Sequence, residues 1–323
     1  MKVLITTSSF GEGAIRVLEK SGFEVINNSY KRKITQAELV PLLEGVQGVI
    51  AGLEEYTYDI LSNSKLEVVS RCGSGLSNID MDAAKKLGIS VYNTPEGPTQ
   101  SVAELTIGCL LSLIRDVPRV NNLMHSGKWE KSTGHMLKDM KVLLIGYGRI
   151  GKTVAKILDV IGANVYVCDP FLRDNDISEN FIKVDIHEGI KIADAIILHS
   201  SGEDLILGEK EFEIMKPGVF ILNVARGGLI DEKILEKEIK SKRVAGAWLD
   251  TFQEEPYNGN LLKYSQVILT PHIGSYTIEG RKKMEYDCVN NLLEFFKNKE
   301  RVMTRINKTK GCKFLYDNEK QVC

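Results

Sequence analysis

The segment Lys141–Asp169 reads KVLLIGYGRIGKTVAKILDVIGANVYVCD. It begins with the apolar run Val142–Ile145, passes through the glycine-rich turn Gly146–Gly151 and continues into a stretch that ends near Ile161. In that stretch apolar residues recur at intervals of three and four, which is typical of a helix that packs one face on a sheet. A second apolar run then leads to Asp169. The segment therefore predicts a strand, a glycine turn, a helix and a second strand.

The glycines of this turn have the spacing G-x-G-x-x-G. Gly146 permits a tight turn, Gly148 lets the backbone approach a pyrophosphate, and Gly151 lets helix and strand pack closely. The N–H groups and the dipole at the start of the helix attract an anion. The carboxylate of Asp169 could accept hydrogen bonds from a ribose and would repel a 2′-phosphate. The segment therefore predicts NAD, rather than NADP, as the cofactor.

Length and composition predict the number of domains and argue against several classes of partner and site. The chain has 323 residues, more than one hydrophobic core usually supports, so two domains are expected. Because 42 basic and 43 acidic residues nearly cancel, neither nucleic acid nor a membrane surface is predicted as a partner. The cysteines lack C-x-x-C spacing, so neither a zinc site, nor any other metal, nor a disulfide framework is predicted. No apolar segment resembles a signal peptide or a membrane span, and a cytoplasmic protein is expected.

Short apolar strands alternate with amphipathic helices on both sides of the glycine turn, which predicts α/β architecture with doubly wound parallel sheets. The breaker cluster Asn93–Pro98 predicts a domain boundary. The helix after it, Ser101–Arg115, is apolar on most faces and is expected to be buried between domains or subunits. The last helix, Glu279–Lys297, has too little chain after its start for another core, so it should return to the first domain. The predicted domains are 1–97 with 277–323, and 98–276.

Four polar residues follow predicted strands at their carboxyl ends, the edge where ligands bind in open α/β sheets. They are Arg226, Asp250, Glu255 and His272. An arginine can hold a carboxylate and polarise a carbonyl, and a histidine can exchange a hydroxyl proton while hydride moves at a nicotinamide. Glu255 would orient His272 and favour its protonated form. Singly each is more often structural, but together they favour oxidation of an alcohol beside a carboxylate.

A second glycine-rich segment, Arg71–Asp80, follows a strand in the first domain. Backbone N–H groups at the end of a strand can bind a carboxylate or a phosphate. Considered by itself, however, the segment is more simply interpreted as a connecting loop that ends in a helix N-cap at Asp80.

Two groups of segments resemble known proteins. The first group resembles the D-2-hydroxyacid dehydrogenases: Gly146–Gly151, Asn223–Gly227, Gly246–Asp250 with Glu255 and Pro256, and Thr270–Gly274. The second resembles in particular the D-3-phosphoglycerate dehydrogenase branch, in a form without a regulatory domain: Arg71–Asp80, Asn93–Pro95, Ser101–Glu104 and Gly127–Glu130. The resemblance implies a Rossmann cofactor domain inserted into a flavodoxin-like substrate domain, a homodimer joined through the cofactor domains, and a place in serine biosynthesis.

The resemblance also implies the role of individual residues. The catalytic residues would be Arg226, Glu255 and His272. The cofactor-binding residues would be Val102, Gly146, Gly148, Arg149, Ile150, Gly151, Asp169, Pro170, Ser200, Val224, Ala225 and Asp250. The substrate-binding residues would be Arg71, Gly73, Ser74, Gly75 and Arg226, with the carboxylate held by the N–H groups of Ser74 and Gly75.

The leading prediction is NAD-dependent, reversible oxidation of 3-phosphoglycerate, a small molecule, to 3-phosphohydroxypyruvate. Some phosphoglycerate dehydrogenases carry a basic residue where this chain has Val49–Glu55, which contains none; Arg71 and Lys131 remain for a phosphate. A reductase of glyoxylate, hydroxypyruvate or another 2-oxoacid is therefore the second hypothesis. A third, from another class, is an NAD-sensing binding protein similar to transcriptional corepressors, for which the sequence offers no positive sign.

Overall fold

The computed structural model describes residues 1–173 and 176–318, from residue 301 for the backbone only. These residues form two compact units. The split unit consists of Met1–Gly97 and the chain from Arg281 onward, and the inserted unit consists of Pro98–Gly280. The predicted boundaries lie after residues 97 and 276, and the assignment of these units as separately folding domains stays a prediction.

All strands in both units are parallel. The strands are β1 (Lys2–Ile5), β2 (Glu24–Asn27), β3 (Gly48–Ala51), β4 (Val68–Arg71), β5 (Ser90–Asn93), β6 (Lys141–Ile145), β7 (Asn164–Cys168), β8 (Ile182–Lys183), β9 (Ala195–Leu198), β10 (Val219–Asn223), β11 (Val244–Leu249) and β12 (Val267–Leu269). The helices are α1 (Glu12–Lys20), α2 (Gln36–Leu42), α3 (Tyr58–Ser62), α4 (Met81–Leu87), α5 (Gly97–Ile114), α6 (Val117–His125), α7 (Arg149–Ile161), α8 (Ile186–Ile192), α9 (Glu209–Ile214), α10 (Glu232–Lys240) and α11 (Ile278–Asn318).

The split unit contains a five-stranded sheet in the order β2-β1-β3-β4-β5, which is the flavodoxin-like order. Side chains alternate between its two faces, as strand geometry requires. Leu4 and Val49 belong to the core on one face, and Val3 and Ile50 belong to the core on the other, where α11 contributes an apolar stripe that includes Leu292. The final helix therefore completes the core of the split unit.

The inserted unit contains a seven-stranded sheet in the order β12-β11-β10-β9-β6-β7-β8. The order reverses between β6 and β9, as in a Rossmann fold. Val142 and Leu144 of β6 face one core, together with Val154 and Leu158 of α7, and Leu143 faces the opposite core. The two doubly wound parallel sheets confirm the predicted fold class.

Some helices differ from their predicted form. The helix predicted over Ser101–Arg115 is α5, which begins earlier, at Gly97, and packs Ala103 and Leu110 into the core of the inserted unit. Its burial between domains or subunits stays a prediction. The next helix, α6, was not predicted, because a proline usually ends a helix. Pro118 instead lies in the first turn of a new helix, where proline is tolerated. Helix α11 continues to Asn318, beyond its predicted end at Lys297.

Within the described residues, no helix is long and apolar enough to cross a membrane. The same part of the chain contains no group of three or more His, Cys, Asp or Glu side chains that could hold a metal ion.

Candidate active site

The glycine turn lies between β6 and α7, at the point where the strand order of the inserted unit reverses. Gly146 has a φ of +99°, and a Cβ atom there would lie 2.6 Å from the backbone of His199 and Ser200. A Cβ at Gly151 would lie 2.3 Å from the carbonyl oxygen of Gly146. At Gly148, by contrast, a Cβ would meet nothing within 4 Å. Packing therefore requires the first and third glycines, and the second leaves space for a ligand.

The start of α7 offers unsatisfied N–H groups to such a ligand. Gly148 is the N-cap residue and has no side chain with which to cap the helix. Arg149 is exposed at the first helical position, and Ile150 packs partly against the core beside it. A helix start without a side-chain cap, next to an exposed cation, suits an anionic group such as a pyrophosphate.

Asp169 follows β7 and lies beside the same turn. Its Oδ2 atom accepts a hydrogen bond from the Tyr147 N–H at 2.7 Å, and its Oδ1 atom accepts one from the Phe171 N–H at 2.9 Å. Pro170, the next residue, is exposed. A carboxylate oxygen has two lone-pair directions, so each atom can still accept a hydrogen bond from a ribose hydroxyl.

His199 was not predicted as a site residue, although it directly follows the buried strand β9. Its Nε2 atom is buried and has no hydrogen-bond partner among the residues that the structure describes. Burial lowers the pKa of His199 to about 3, so its imidazole is neutral. Ser200, which was predicted, accepts a hydrogen bond from the Gly202 N–H at 3.4 Å. A buried polar atom that lacks a partner and lies beside the glycine turn fits a site that a polar ligand completes. Together, the glycine turn, the start of α7, Asp169 and His199 fit a dinucleotide.

Arg226 lies in a tightly packed loop after β10. The side chain of Asn223, which is fully buried, accepts a hydrogen bond from the Ala225 N–H at 3.1 Å and donates one to the Arg226 carbonyl at 2.8 Å. A Cβ at Gly227 would lie 1.9 Å from the carbonyl carbon of Phe252. The Nη1 group of Arg226 donates to the Ala225 carbonyl at 2.7 Å, and the side chain stays half-buried. The sequence interpretation missed Asn223, which holds this loop in place.

His272 and Glu255 form the pair that the sequence predicts. Nδ1–H of His272 donates to Oε2 of Glu255 at 3.0 Å, and 45% and 37% of their side chains remain exposed, so a substrate can reach them. Burial raises the pKa of Glu255, but the hydrogen bond and charge of His272, the Phe252 N–H and the charge of Arg226 outweigh it. The pKa of Glu255 therefore lies below its ordinary value. With Nδ1 held by a carboxylate, Nε2 is the nitrogen left for proton exchange.

Asp250 fixes the backbone on the carboxyl side of His272. It is 1% exposed; Oδ1 accepts hydrogen bonds from the Thr270 hydroxyl at 2.5 Å and the Ile273 N–H at 2.9 Å, and Oδ2 accepts one from the Gly274 N–H at 2.8 Å. His272 has a φ of +54°, a left-handed conformation that costs a non-glycine residue about 1–2 kcal/mol. The buried carboxylate stabilises that conformation. A contact between Asp250 and the cofactor stays a prediction.

Three apolar residues predicted to line the cofactor site are buried in the inserted unit. Val102, Val224 and Ala225 are each less than a tenth exposed. A Cβ at Gly274 would lie 3.2 Å from Cγ2 of Val102 and 3.5 Å from Cγ2 of Val224. The two valines therefore pack beside the His272 loop, and their contact with a cofactor stays a prediction.

The glycine-rich loop after β4 belongs to the split unit and presents N–H groups. Gly73 has a φ of +138°, and its N–H donates to the Thr94 hydroxyl at 2.8 Å. The Asn93 side chain donates to the Ser74 carbonyl at 2.7 Å. Within residues 1–173 and 176–318, the N–H groups of Ser74 and Gly75 have no protein acceptor. A fixed loop with two available N–H groups suits a carboxylate, as predicted for this position.

Arg71 lies against its own loop. Its Nη1 group donates to the Cys72 carbonyl oxygen, and the guanidinium covers the space that a side chain at Gly73 would occupy. Arg71 thus supplies positive charge directly beside the available N–H groups, which favours an anionic ligand.

A carboxylate that the sequence interpretation missed lies at the neighbouring strand end. Glu54 is 2% exposed, and its Oε2 atom accepts hydrogen bonds from the Thr6 hydroxyl at 2.7 Å and the Gly52 N–H at 3.1 Å. The Asn78 side chain donates to the carbonyl groups of Gly52 and Glu54, at 3.2 and 2.6 Å, and so connects this strand end to the glycine-rich loop. The split unit therefore carries one acidic and one basic group at this edge.

Comparisons with known proteins agree with this geometry. Residues 107–274 match the model of the D-isomer-specific 2-hydroxyacid dehydrogenase NAD-binding domain. A D-3-phosphoglycerate dehydrogenase of Pongo abelii is 33% identical over 92% of this chain, which spans only 57% of that relative. A hydroxypyruvate reductase of Thermotoga maritima is 34% identical over 86% of this chain and 95% of its own length. The crystal structure of the TT0316 protein of Thermus thermophilus matches with a TM-score of 0.86 and 28% identity, over 92% of this chain and 97% of that one.

The matched domain contains the glycine turn, Arg226, Glu255 and His272, and NAD is the cofactor that this domain binds. The match extends over more than half of the chain, and both curated relatives exceed 30% identity across most of it. The chain belongs to the D-isomer-specific 2-hydroxyacid dehydrogenase family.

Proposed function

We propose that the protein catalyses the NAD-dependent, reversible oxidation of a D-2-hydroxyacid to the corresponding 2-oxoacid. The observation that supports this most is the hydrogen bond of 3.0 Å between His272 and Glu255. The charge of Arg226 acts on the same carboxylate. An acid–base group and a cation are the two elements that interconversion of an alcohol and a carbonyl beside a carboxylate requires.

Each of the three side chains has a distinct role in this proposal. Arg226 binds the carboxylate of the substrate and polarises the oxygen of the reacting carbon. His272 takes the hydroxyl proton during oxidation and returns it during reduction, through Nε2. Glu255 keeps Nδ1 protonated and stabilises the positive charge that His272 gains. The nicotinamide, when bound, accepts or supplies the hydride. Gly148, Arg149 and Asp169 are the residues proposed to hold the cofactor.

The first candidate substrate is 3-phosphoglycerate. Relatives named D-3-phosphoglycerate dehydrogenase support it at about one-third identity. The glycine-rich loop supports it as well, because the N–H groups of Ser74 and Gly75 suit a carboxylate and Arg71 adds a positive charge beside them. This substrate would place the enzyme in serine biosynthesis, and we propose a cytoplasmic location with it.

The second candidate is an unphosphorylated 2-oxoacid such as hydroxypyruvate or glyoxylate. The buried Glu54 favours it, because a carboxylate at the strand end next to the glycine-rich loop repels the phosphate group of a phosphorylated substrate. The hydroxypyruvate reductase that matches along 95% of its own length supports the same candidate.

A panel of 2-oxoacids assayed by NADH oxidation tests the proposal. The panel should contain 3-phosphohydroxypyruvate, hydroxypyruvate and glyoxylate, and the highest kcat/KM identifies the substrate class. Arg226→Ala should reduce kcat/KM for the best substrate by about 100-fold or more, because a charge-assisted contact to the carboxylate is lost. Arg16→Ala, which removes only an exposed ion pair with Glu12, is the control. Absence of turnover with every D-2-hydroxyacid and 2-oxoacid would contradict the proposed function.

We also propose that the protein is a homodimer joined through the inserted unit. Large apolar side chains are exposed on and after α6: Met124 is 53%, Trp129 is 80% and Met136 is 79% exposed. Such exposure is typical of a surface that a second subunit covers. The molar mass from light scattering tests this, and replacement of Trp129 with Glu should shift a dimer towards the monomer.

A further inference from the structure

Cys72 and Cys288 both belong to the split unit, and neither is one of the proposed catalytic residues. Cys288 is on α11 and is fully buried, and its thiol also lies 3.9 Å from the Ser70 carbonyl oxygen. Cys72 is the residue after β4; it is half-buried and packs against the same core. In that core the Cys72 and Cys288 side chains are neighbours, and each thiol affects the pKa of the other. Both cysteines are free in the reduced form described here.

The surroundings of the two sulfur atoms differ. The hydrogen bond from Cys288 lowers the pKa of Cys72, and the charges of Arg71 and Arg281 lower it further; burial and Glu285 oppose them without cancelling the effect. Burial, in contrast, raises the pKa of Cys288 well above its ordinary value. Cys72 is therefore the thiol that becomes a nucleophile, and Cys288 is a protonated thiol placed to react with it afterwards.

We propose that Cys72 and Cys288 are a redox site, which a hydroperoxide converts reversibly into a disulfide. The Cys72 thiolate attacks the peroxide, an S–O bond forms as the O–O bond breaks, and the leaving oxygen takes up a proton to give water or an alcohol. The sulfur loses two electrons and the peroxide gains them. Cys288 then attacks the Cys72 sulfenic acid; the S–S bond forms, the S–O bond breaks, and the departing hydroxide leaves as water with the Cys288 proton. A thiol reductant reverses the change.

The disulfide would alter the glycine-rich loop. Its sulfur atoms are about 2.05 Å apart, closer than two thiols in a hydrogen bond, so its formation draws Cys72 towards α11. Gly73, Ser74 and Gly75 follow Cys72 directly. Displacement of a binding group by about 1 Å can reduce activity by about 100-fold. Oxidation should therefore raise KM for the 2-oxoacid by about 10- to 100-fold; this consequence, unlike the chemistry, rests on the proposed function.

Peptide mapping of the full-length protein tests the site. The reduced protein is treated with a small excess of hydrogen peroxide, alkylated and digested. We expect a linked peptide that contains Cys72 and Cys288, a mass decrease of two hydrogen atoms, and restoration of both thiols by dithiothreitol. In Cys288→Ala, Cys72 should instead accumulate as a sulfenic acid that dimedone traps. Cys168→Ala is the matched control, because Cys168 is a half-buried thiol whose pKa burial raises; it should behave as the wild type.

Several outcomes would overturn the proposal. Unchanged Cys72 and Cys288 under peroxide would do so, and so would linkage of either cysteine to Cys312 or Cys323. Where Cys288→Ala fails to fold by circular dichroism, Cys288→Ser and Cys72→Ser provide the same comparison. Peptide mapping detects the disulfide whether or not the protein is active. A reduced protein without activity would therefore contradict the proposed function, and the linked peptide would still test the redox site. A disulfide that leaves KM unchanged would overturn the effect on the loop.

Discussion

The strand ends of the inserted unit and those of the split unit are built in different ways. In the inserted unit, the proposed reactive side chains stand on loops fixed by buried polar side chains: Asn223 holds the Arg226 loop and Asp250 holds the His272 loop. In the split unit, the glycine-rich loop offers chiefly backbone N–H groups, with Arg71 beside them. The first arrangement specifies a reaction through side-chain identity, and the second binds an anion without specifying which one.

The two arrangements differ in how narrowly they specify a ligand or a reaction. The proposed acid–base role requires particular residues at a particular distance, and His272 and Glu255 lie 3.0 Å apart. A backbone N–H binds a carboxylate of any acid with similar strength. Within the split unit, selection among anions then depends on charged side chains close to these N–H groups, such as Arg71 and Glu54. Substitution of Arg226, Glu255 or His272 in the inserted unit should accordingly alter rate, and substitutions in the split unit should alter the preference among substrates.

The largest effect is expected for His272→Gln, which tests the inserted unit. Glutamine keeps a polar side chain but exchanges no proton, so kcat should fall by about 10²- to 10⁴-fold. The affinity for NADH, measured by fluorescence titration, should change little, because the glycine turn and Asp169 remain. Steady-state turnover of the best 2-oxoacid measures the loss.

A histidine elsewhere in the inserted unit provides the control for that substitution. His187 also lies near a carboxylate, with its Nδ1 atom 3.6 Å from Asp185, but it is outside the candidate active site. His187→Gln should leave kcat within about twofold of the wild type, as is usual for surface positions. Near-normal turnover in His272→Gln would contradict the acid–base role of His272. It would also contradict the proposal that side chains of the inserted unit determine the reaction.

A smaller effect is expected for Asp169→Ala, which tests the cofactor-binding part of the inserted unit. The variant loses a charge-assisted hydrogen bond to the ribose, worth about 1.5–3 kcal/mol, and no longer repels a 2′-phosphate. The ratio of kcat/KM for NADH to that for NADPH should fall by about 10- to 100-fold. Because Asp169 also accepts hydrogen bonds from Tyr147 and Phe171, Asp169→Asn separates the loss of charge from the loss of these contacts. An unchanged ratio in both variants would contradict the ribose contact.

The fold class could be predicted from the sequence for physical reasons, and the same reasons place the candidate reactive residues at strand ends. Buried parallel strands are continuous apolar runs, so strands such as β9 and β11 could be recognised in the sequence. The residues that follow such strands lie at the carboxyl edge of the sheet, where ligands bind. Two adjacent residues, Glu54 and Glu55, show a difference that the sequence does not predict. Glu54 and Glu55 are equivalent in the sequence, yet Glu54 is buried under Thr6 and Gly52 while Glu55 is exposed. Burial of one carboxylate depends on contacts between distant segments, and no local pattern records them.

The contacts that hold the reactive loops were missed for the same reason. Trp248 donates to the Thr270 hydroxyl at 2.9 Å, and that hydroxyl donates to Asp250. The thiol of Cys288 meets Cys72 across more than two hundred residues of chain. Contacts between residues so far apart in the sequence can be identified only when the order of the strands in the sheet is known.

The smallest effect is expected for Leu53→Arg, which tests the split unit. Leu53 precedes Glu54 at the end of β3 and is 49% exposed, so an arginine fits there without disturbing the core. An exposed cation at this edge should contribute about 0.2–1 kcal/mol to binding of a phosphorylated substrate. The ratio of kcat/KM for 3-phosphohydroxypyruvate to that for hydroxypyruvate should therefore rise by about 1.4- to 5-fold. Leu53→Gln, which adds a polar side chain of similar length without charge, should leave the ratio unchanged. An equal change for both substrates would mean that this strand end does not select between them, and the comparison of the two units would then have to rest on Arg71 alone.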